Sequence, residues 1–135
     1  MDYLLDACAL IALLNDEDGA DAVAGLLTQA GAGTDRVYIS SIQVLEVYYD
    51  RIYIKNRKYA DTFLEKLYTS PVIILSEISN DVIREAGRFK TSYSMSLADA
   101  IAAGTAKNLA ATLVTKDMEL KPAEQAGEFS VLWLK

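Results

Sequence analysis

Short apolar runs alternate with longer, helix-spaced stretches along the whole chain. The first run, Tyr3-Leu4-Leu5, opens almost at once and stops at Asp6. Three or four apolar residues ending in a carboxylate predict a buried strand feeding a loop or helix. Cys8 to Leu14 then reads as a short apolar helix, and Asn15-Asp16-Glu17-Asp18-Gly19 as a turn. A second helix is predicted from about Ala20 to Gln29, with acids near its start where the helix dipole favours them.

Val37-Tyr38-Ile39 predicts the second strand. Ser40 offers a helix cap and Gln43 completes a capping-box spacing, so a helix follows from Ser41 to about Lys55. It is apolar on most sides, which predicts burial between the sheet and another element. A helix over Lys58 to Tyr68 ends at Ser70-Pro71, because the residue before a proline avoids helical geometry. Val72-Ile73-Ile74-Leu75 is a β-branched strand, and Ser79 or Asn80 caps a helix from Asp81 to about Lys90. Ser96 caps a helix from Leu97 to Asn108, Thr112 to Thr115 is a strand, and Ser130 to Leu134 is the last. Strands separated by helices throughout predict an α/β fold with right-handed crossovers: a three-layer α/β/α sandwich on a mainly parallel sheet of about five strands.

At 135 residues, of which 52% are hydrophobic, the chain fits a single domain over 1–135 with a real core. No apolar run approaches the ~18 residues of a membrane span, and no basic-then-apolar leader opens the chain. The expectation is a soluble cytoplasmic protein without a membrane partner. Cys8 is the only cysteine, so there is no internal disulfide, in keeping with a reducing compartment.

The absence of histidine changes the chemistry most. It removes histidine general bases, Ser-His and Cys-His nucleophile pairs, and imidazole zinc sites. No Gly-x-Gly-x-x-Gly or phosphate-loop pattern occurs, which argues against a nucleotide cofactor. The net charge of −6 argues against a purely electrostatic nucleic-acid binder. That argument weakens if several acids share one metal ion.

Four acids stand where a sheet gathers its reactive groups, past the carboxyl ends of strands. Asp6 and Asp117 each follow a strand. Glu46 lies on a helix that begins directly after one, among Ile42, Tyr49 and Tyr53, and an acid there needs a partner. Asp99 opens a helix whose adjoining face is Ala102, Ala103 and Ala106, small enough to lie close to the sheet. Carboxylates crowded together repel, and a hard divalent ion, Mg²⁺ or Mn²⁺, removes the penalty. Metal-assisted phosphodiester hydrolysis is the chemistry these residues suit best.

The chain resembles the PIN-domain ribonucleases, especially the compact VapC-type toxins. The resemblance rests on Leu-Leu-Asp6-Ala-Cys, Ile-Ser-Ser-Ile-Gln-Val-Leu-Glu46, Leu-Ala-Asp99-Ala-Ile-Ala-Ala-Gly-Thr-Ala and Leu-Val-Thr115-Lys-Asp117, and it covers essentially the whole chain. It implies that Asp6, Glu46, Asp99 and Asp117 form an acidic metal-binding quartet, with Thr115 as a supporting hydroxyl. It further implies cleavage of single-stranded RNA with a divalent ion, a cognate antitoxin as partner, and a homodimer. Two positions depart from the pattern. Ala7 replaces a frequent Thr or Ser, and Met118-Glu119-Leu120 replaces another acid and a phenylalanine, so no helper role is carried over to Glu119.

Blander roles compete with each assignment. Asp6 could only cap the next helix, Ser96-x-x-Asp99 has capping-box spacing, and Asp117 could be an ordinary turn residue. Arg51, Lys55, Arg57 and Lys58, interleaved with Tyr53, could track an RNA backbone or simply complete a solvated helix end. Tyr48 and Tyr49 are expected to pack, and Cys8 to be a small buried residue. Two rival functions remain: a catalytically silent PIN fold acting as a binding module, and a phosphoacceptor receiver domain. The second lacks its acids, since Ala7 and Ser76 occupy the places they need.

Overall fold

The computed structural model describes Met1 to Leu134. Five strands, β1 (Asp2–Leu5), β2 (Arg36–Ser40), β3 (Ile73–Leu75), β4 (Thr112–Thr115) and β5 (Val131–Trp133), form one sheet in the order β3-β2-β1-β4-β5. Every pairing is parallel. Between the strands run α1 (Ala7–Leu14), α2 (Ala20–Gly31), α3 (Ser41–Ile54), α4 (Arg57–Tyr68), α5 (Asn80–Ser92), α6 (Leu97–Leu109) and α7 (Lys121–Gln125). The expected α/β/α sandwich is therefore the observed architecture. No described helix is long and apolar enough to cross a membrane.

Successive strand residues point to opposite faces, which is why the core has two halves. Leu5, Val37, Ile39 and Val114 meet Leu10, Val23, Val47, Phe63 and Leu67 from α1 to α4. Their neighbours Leu4 and Leu113 meet Phe89 of α5 and the alanines of α6 on the other side. Each central strand is thus covered on both faces and reads as a continuous apolar run.

Two segments differ from expectation. Met118–Leu120 forms a 3₁₀ turn running into α7, in a stretch where the sequence pattern assigns no element. Pro122 sits in the first turn of α7, the one helical place where its missing N–H costs nothing. A helix of 5 residues carries too little periodicity to be seen from sequence. The last strand is also shorter than expected, Val131–Trp133.

The small face of α6 allows a close approach to α5. A Cβ on Gly104 would lie 2.8 Å from the Ala86 amide nitrogen and 3.2 Å from the Val82 carbonyl oxygen. Both are backbone atoms that cannot swing aside. Gly104→Ala is expected to destabilise by about 1–3 kcal/mol despite the better helix propensity of alanine. Urea unfolding checks this, and unchanged stability would mean that the two helices part freely.

Candidate active site

Register builds the site first. Leu5 pairs with Val114, and the Asp6 amide prolongs the ladder by donating to the Val114 carbonyl at 3.0 Å. Asp6, just past β1, therefore stands beside Thr115, the last residue of β4. Asp6 divides its two oxygens between two tasks. Oδ1 accepts the Ala7 amide at 2.8 Å and caps α1, while Oδ2 accepts the Thr115 hydroxyl at 2.8 Å and the Cys8 thiol at 3.5 Å. The capping role and the place at the sheet edge are thus held together by one residue.

Thr115 also sets the next turn, because its Oγ1 accepts the Asp117 amide at 3.0 Å. Asp117 Oδ1 then accepts the Glu119 amide at 3.0 Å, capping the 3₁₀ turn.

Asp99 shows why capping-box spacing alone is ambiguous. The Ser96 hydroxyl accepts the Asp99 amide at 3.1 Å, as that motif requires. The reciprocal bond is different: the Ser96 amide donates to Glu119 Oε1 at 3.1 Å. Glu119 thereby releases the Asp99 carboxylate from the cap. That carboxylate is buried, and its Oδ2 has no hydrogen-bond partner among the described residues. A buried oxygen of this kind is costly and calls for an explanation.

Asp6, Asp99 and Asp117 each offer one carboxylate oxygen, and these oxygens all lie within 4.8 Å of one another. Glu46 is outside that trio but lines the same cavity of about 260 Å³, together with Ala7, Cys8 and Ile11 of α1. Asp50, one turn beyond Glu46, lines it too. The i, i+4 relation to Glu46 was the signal available for Asp50 in the sequence.

Gln43 does not complete the expected capping box. Ser40 Oγ accepts the Ile42 amide at 3.2 Å and donates to Gln43 Oε1 at 2.5 Å, while Gln43 Nε2 donates to the Ala98 carbonyl at 3.0 Å. This fully buried amide ties α3 to the start of α6, and so sets Glu46 relative to Asp99.

The acids feel the crowding. Burial, and then the charges of Asp6 and Asp117, push Glu46 up to about 7 from its ordinary 4.5. Burial raises Asp6 in spite of the bonds from Thr115, Ala7 and Cys8. Burial, reinforced by Asp117 and Glu119, raises Asp99 as well. Burial pushes the Cys8 thiol up to about 12, which keeps it protonated and a poor nucleophile.

These shifts have one sign. Between about 4.5 and about 7 the folded protein keeps a proton at Glu46 that the unfolded chain releases. Stability therefore falls as pH rises through that window, and the raised Asp6 and Asp99 act the same way. Glu128 is held down at about 2 by Arg88 and Lys107, so its contribution is already complete at the bottom of the window. The metal-free protein is expected to melt at a lower temperature at about pH 8 than at about pH 5. Thermal unfolding in chelator checks this, and a melting temperature that climbs across the window would contradict it.

The four cations separate. Lys55, Arg57 and Lys58 are exposed beyond the end of α3. Arg51 is not: its side chain is 1% exposed, paired with Asp50 at 2.6 Å and set over the Tyr59 ring at 5.7 Å. It is removed from the exposed strip because its guanidinium serves the interior. Tyr49 also departs from expectation, since it is 45% exposed and lines the acidic cavity.

A parallel sheet in this order, with acids converging at its carboxyl edge, defines an α/β protein built around a carboxylate cavity. The chain belongs to the PIN domain family, whose pattern it matches over residues 3–124. No curated protein matches it. Among solved structures it is similar to VapBC2 from Rickettsia felis, bound there to a DNA fragment from their promoter, at 20% identity, 100% of both chains and a TM-score of 0.76. It is also similar to VapBC-1 from nontypeable Haemophilus influenzae, at 21% identity over 98% of each chain with a TM-score of 0.74. A third similarity is to VapBC-5 from Mycobacterium tuberculosis, a member of the VapBC family of toxin–antitoxin systems, at 15% identity over 98% of each chain with a TM-score of 0.66. At these identities the likeness shows the shared fold. A PIN domain leaves no place for the receiver-domain reading.

Proposed function

We propose that the protein is a Mg²⁺- or Mn²⁺-dependent endoribonuclease acting on single-stranded RNA, and the toxin of a toxin–antitoxin pair. One observation carries the reading: oxygens of three carboxylates from separate segments converge within 4.8 Å, and the buried Asp99 Oδ2 lacks a partner among the described residues. The donor set fits a hard divalent ion, being all carboxylate oxygen with no imidazole in the chain. When bound, such an ion supplies charge neutralisation and Lewis-acid activation of water for attack on a phosphodiester.

The chain's own residues do the rest. Asp6, Asp99 and Asp117 would hold the ion, and Glu46 would complete the acidic wall from α3. An ion held there would offset the Asp6 and Asp117 charges that help push the Glu46 carboxyl up in the metal-free protein, favouring its ionised form. Thr115 fixes the oxygen of Asp6 that is not capping α1, together with the turn that carries Asp117. Cys8 adds a thiol contact behind Asp6. Lys55, Arg57 and Lys58 offer exposed charge for the phosphate backbone. The toxin role, with a cognate antitoxin and a homodimer, rests on PIN membership and on the VapBC likeness of the fold.

Incubating folded protein with single-stranded RNA and Mn²⁺, with and without chelator, tests the reading. Cleavage that leaves a 5′-phosphate and stops with chelator is expected. Cleavage indifferent to chelator would remove the metal from the mechanism. No cleavage by metal-loaded protein would leave a silent PIN fold.

A further inference from the structure

The nuclease reading leaves one feature of the cavity unused, its aromatic wall. We propose that Tyr49 is a base-stacking residue that holds an unpaired nucleobase beside the scissile phosphate, with Tyr53 continuing the platform along α3. This inference rests on the RNA-cleaving reading above and names how the substrate is held.

Tyr49 is the one tyrosine lining the acidic cavity, which Ile11 of α1 also lines. One helical turn on, Tyr53 is 85% exposed. The two rings meet edge to face, with centroids 6.1 Å apart and planes at 78°. An edge-to-face pair covers one face of one ring only, and with Tyr49 45% and Tyr53 85% exposed, ring surface is left for a third aromatic group. Neither hydroxyl has a hydrogen-bond partner among the described residues, whereas the hydroxyls of Tyr48 and Tyr93 are tied to Asp61 and Glu128. Tyr59 is likewise occupied, lying beneath Lys55 and Arg51. Apart from their contact with each other, Tyr49 and Tyr53 are therefore the tyrosines of α3 whose hydroxyls have no partner among the described residues.

Charge decides what would cover them. The cavity is lined by Asp6, Glu46, Asp50, Asp99 and Asp117, and the chain carries a net charge of −6. One divalent ion offsets two of these five negative charges, so phosphates flanking the cut still gain little from the lining, and a neutral contact would retain the strand there. Stacking of a base on an aromatic ring is such a contact, and it tolerates any sequence. Lys55, Arg57 and Lys58 follow Tyr53 in the chain, and these exposed cations can take backbone that the acids repel. Bases within a duplex already stack on one another and have no free face to offer. The same wall therefore selects unpaired RNA.

The test pairs changes on both molecules. Tyr49→Ala and Tyr49→Phe are compared with wild type on single-stranded RNA in Mn²⁺, using substrates with an abasic nucleotide moved one position at a time across the cut. Tyr49→Ala is expected to lose about 5- to 150-fold in kcat/KM, and Tyr49→Phe to recover it. One abasic position should cost wild type a similar factor and cost Tyr49→Ala nothing further. 2-Aminopurine at that position should be quenched on mixing with wild type and Tyr49→Phe, and not with Tyr49→Ala. Full cleavage by Tyr49→Ala with the abasic penalty intact would overturn the inference, as would a loss that phenylalanine fails to rescue. Intact cleavage combined with weakened binding of a protein partner would assign the wall to that partner and also overturn it. If wild type does not cleave at all, the nuclease reading falls, and the quenching experiment still decides whether Tyr49 stacks on a base.

Discussion

Asp99→Asn is expected to lower RNA cleavage by more than about 100-fold while making the metal-free protein slightly harder to melt. The lower bound follows from metal sites generally, where removing even a residue that only supports a ligand costs about 10- to 100-fold. Asp99 is more than a support in this account, because its Oδ2 is buried without a partner among the described residues and one of its carboxylate oxygens lies within 4.8 Å of oxygens of Asp6 and Asp117. The gain in metal-free stability has a separate cause. Burial and the neighbouring acids raise the Asp99 carboxyl, which means that its ionised form is held at a cost. An amide of the same shape removes that cost.

The two effects together are diagnostic. An ion that binds only the folded state stabilises it by mass action, so Mn²⁺ should raise the melting temperature of wild type and fail to raise that of Asp99→Asn. Scanning calorimetry with and without Mn²⁺ reads both. Equal stabilisation of the two proteins by Mn²⁺ would put the ion somewhere else.

Asp50→Ala is expected to have the largest effect on the fold itself, about 3 kcal/mol of destabilisation. Among the described residues, the fully buried Arg51 has no partner for Nε and Nη1, and Asp50 supplies its only ion pair, at 2.6 Å. Removing the carboxylate strands a charge in the interior, where solvation cannot replace it. Asp50 is itself 31% exposed, which places the expected cost at the lower end of the range for broken buried pairs. Set against a typical total of about 5–15 kcal/mol, the loss is large. Arg51→Met should cost much less, because it removes the charge together with its need for a partner. Chemical denaturation of both variants checks the asymmetry, and the opposite ranking would show that Arg51 is satisfied by groups other than Asp50.

The parts of this molecule that were legible in its sequence are those governed by short-range pattern. Leu4-Leu5, Val37-Tyr38-Ile39 and Leu113-Val114 announce strands because both faces of a covered parallel sheet are apolar. Asp6 and Asp117 stood out because each follows a strand, Asp99 because it opens a helix at the same edge of the sheet, and Glu46 because it is an acid on an apolar helix that begins directly after a strand. Resemblance to PIN domains assembled them, and the structure brings three of the four within 4.8 Å.

What was illegible depends on contacts between distant segments. Ser96 and Asp99 have capping-box spacing, yet Glu119, 23 residues away, takes the Ser96 amide. Gln43 has the spacing of a cap as well, and spends its amide on the Ala98 carbonyl, 55 residues away. Arg51 lies in a run of cations, and only tertiary structure shows that it turns inward to Asp50 and Tyr59. Tyr49 was expected to pack; its helix instead presents it to the cavity. In each case a local motif was real and a distant residue decided its use.

The central claim is that negative side chains from separate stretches of chain share one divalent ion at the carboxyl edge of the sheet. Crystals soaked in Mn²⁺ and measured for anomalous scattering address it most directly. The account predicts a peak between Asp6, Asp99 and Asp117 at about 2.0–2.3 Å from their oxygens, with Glu46 facing it. A peak bound elsewhere, or an empty cavity at saturating Mn²⁺, would contradict it.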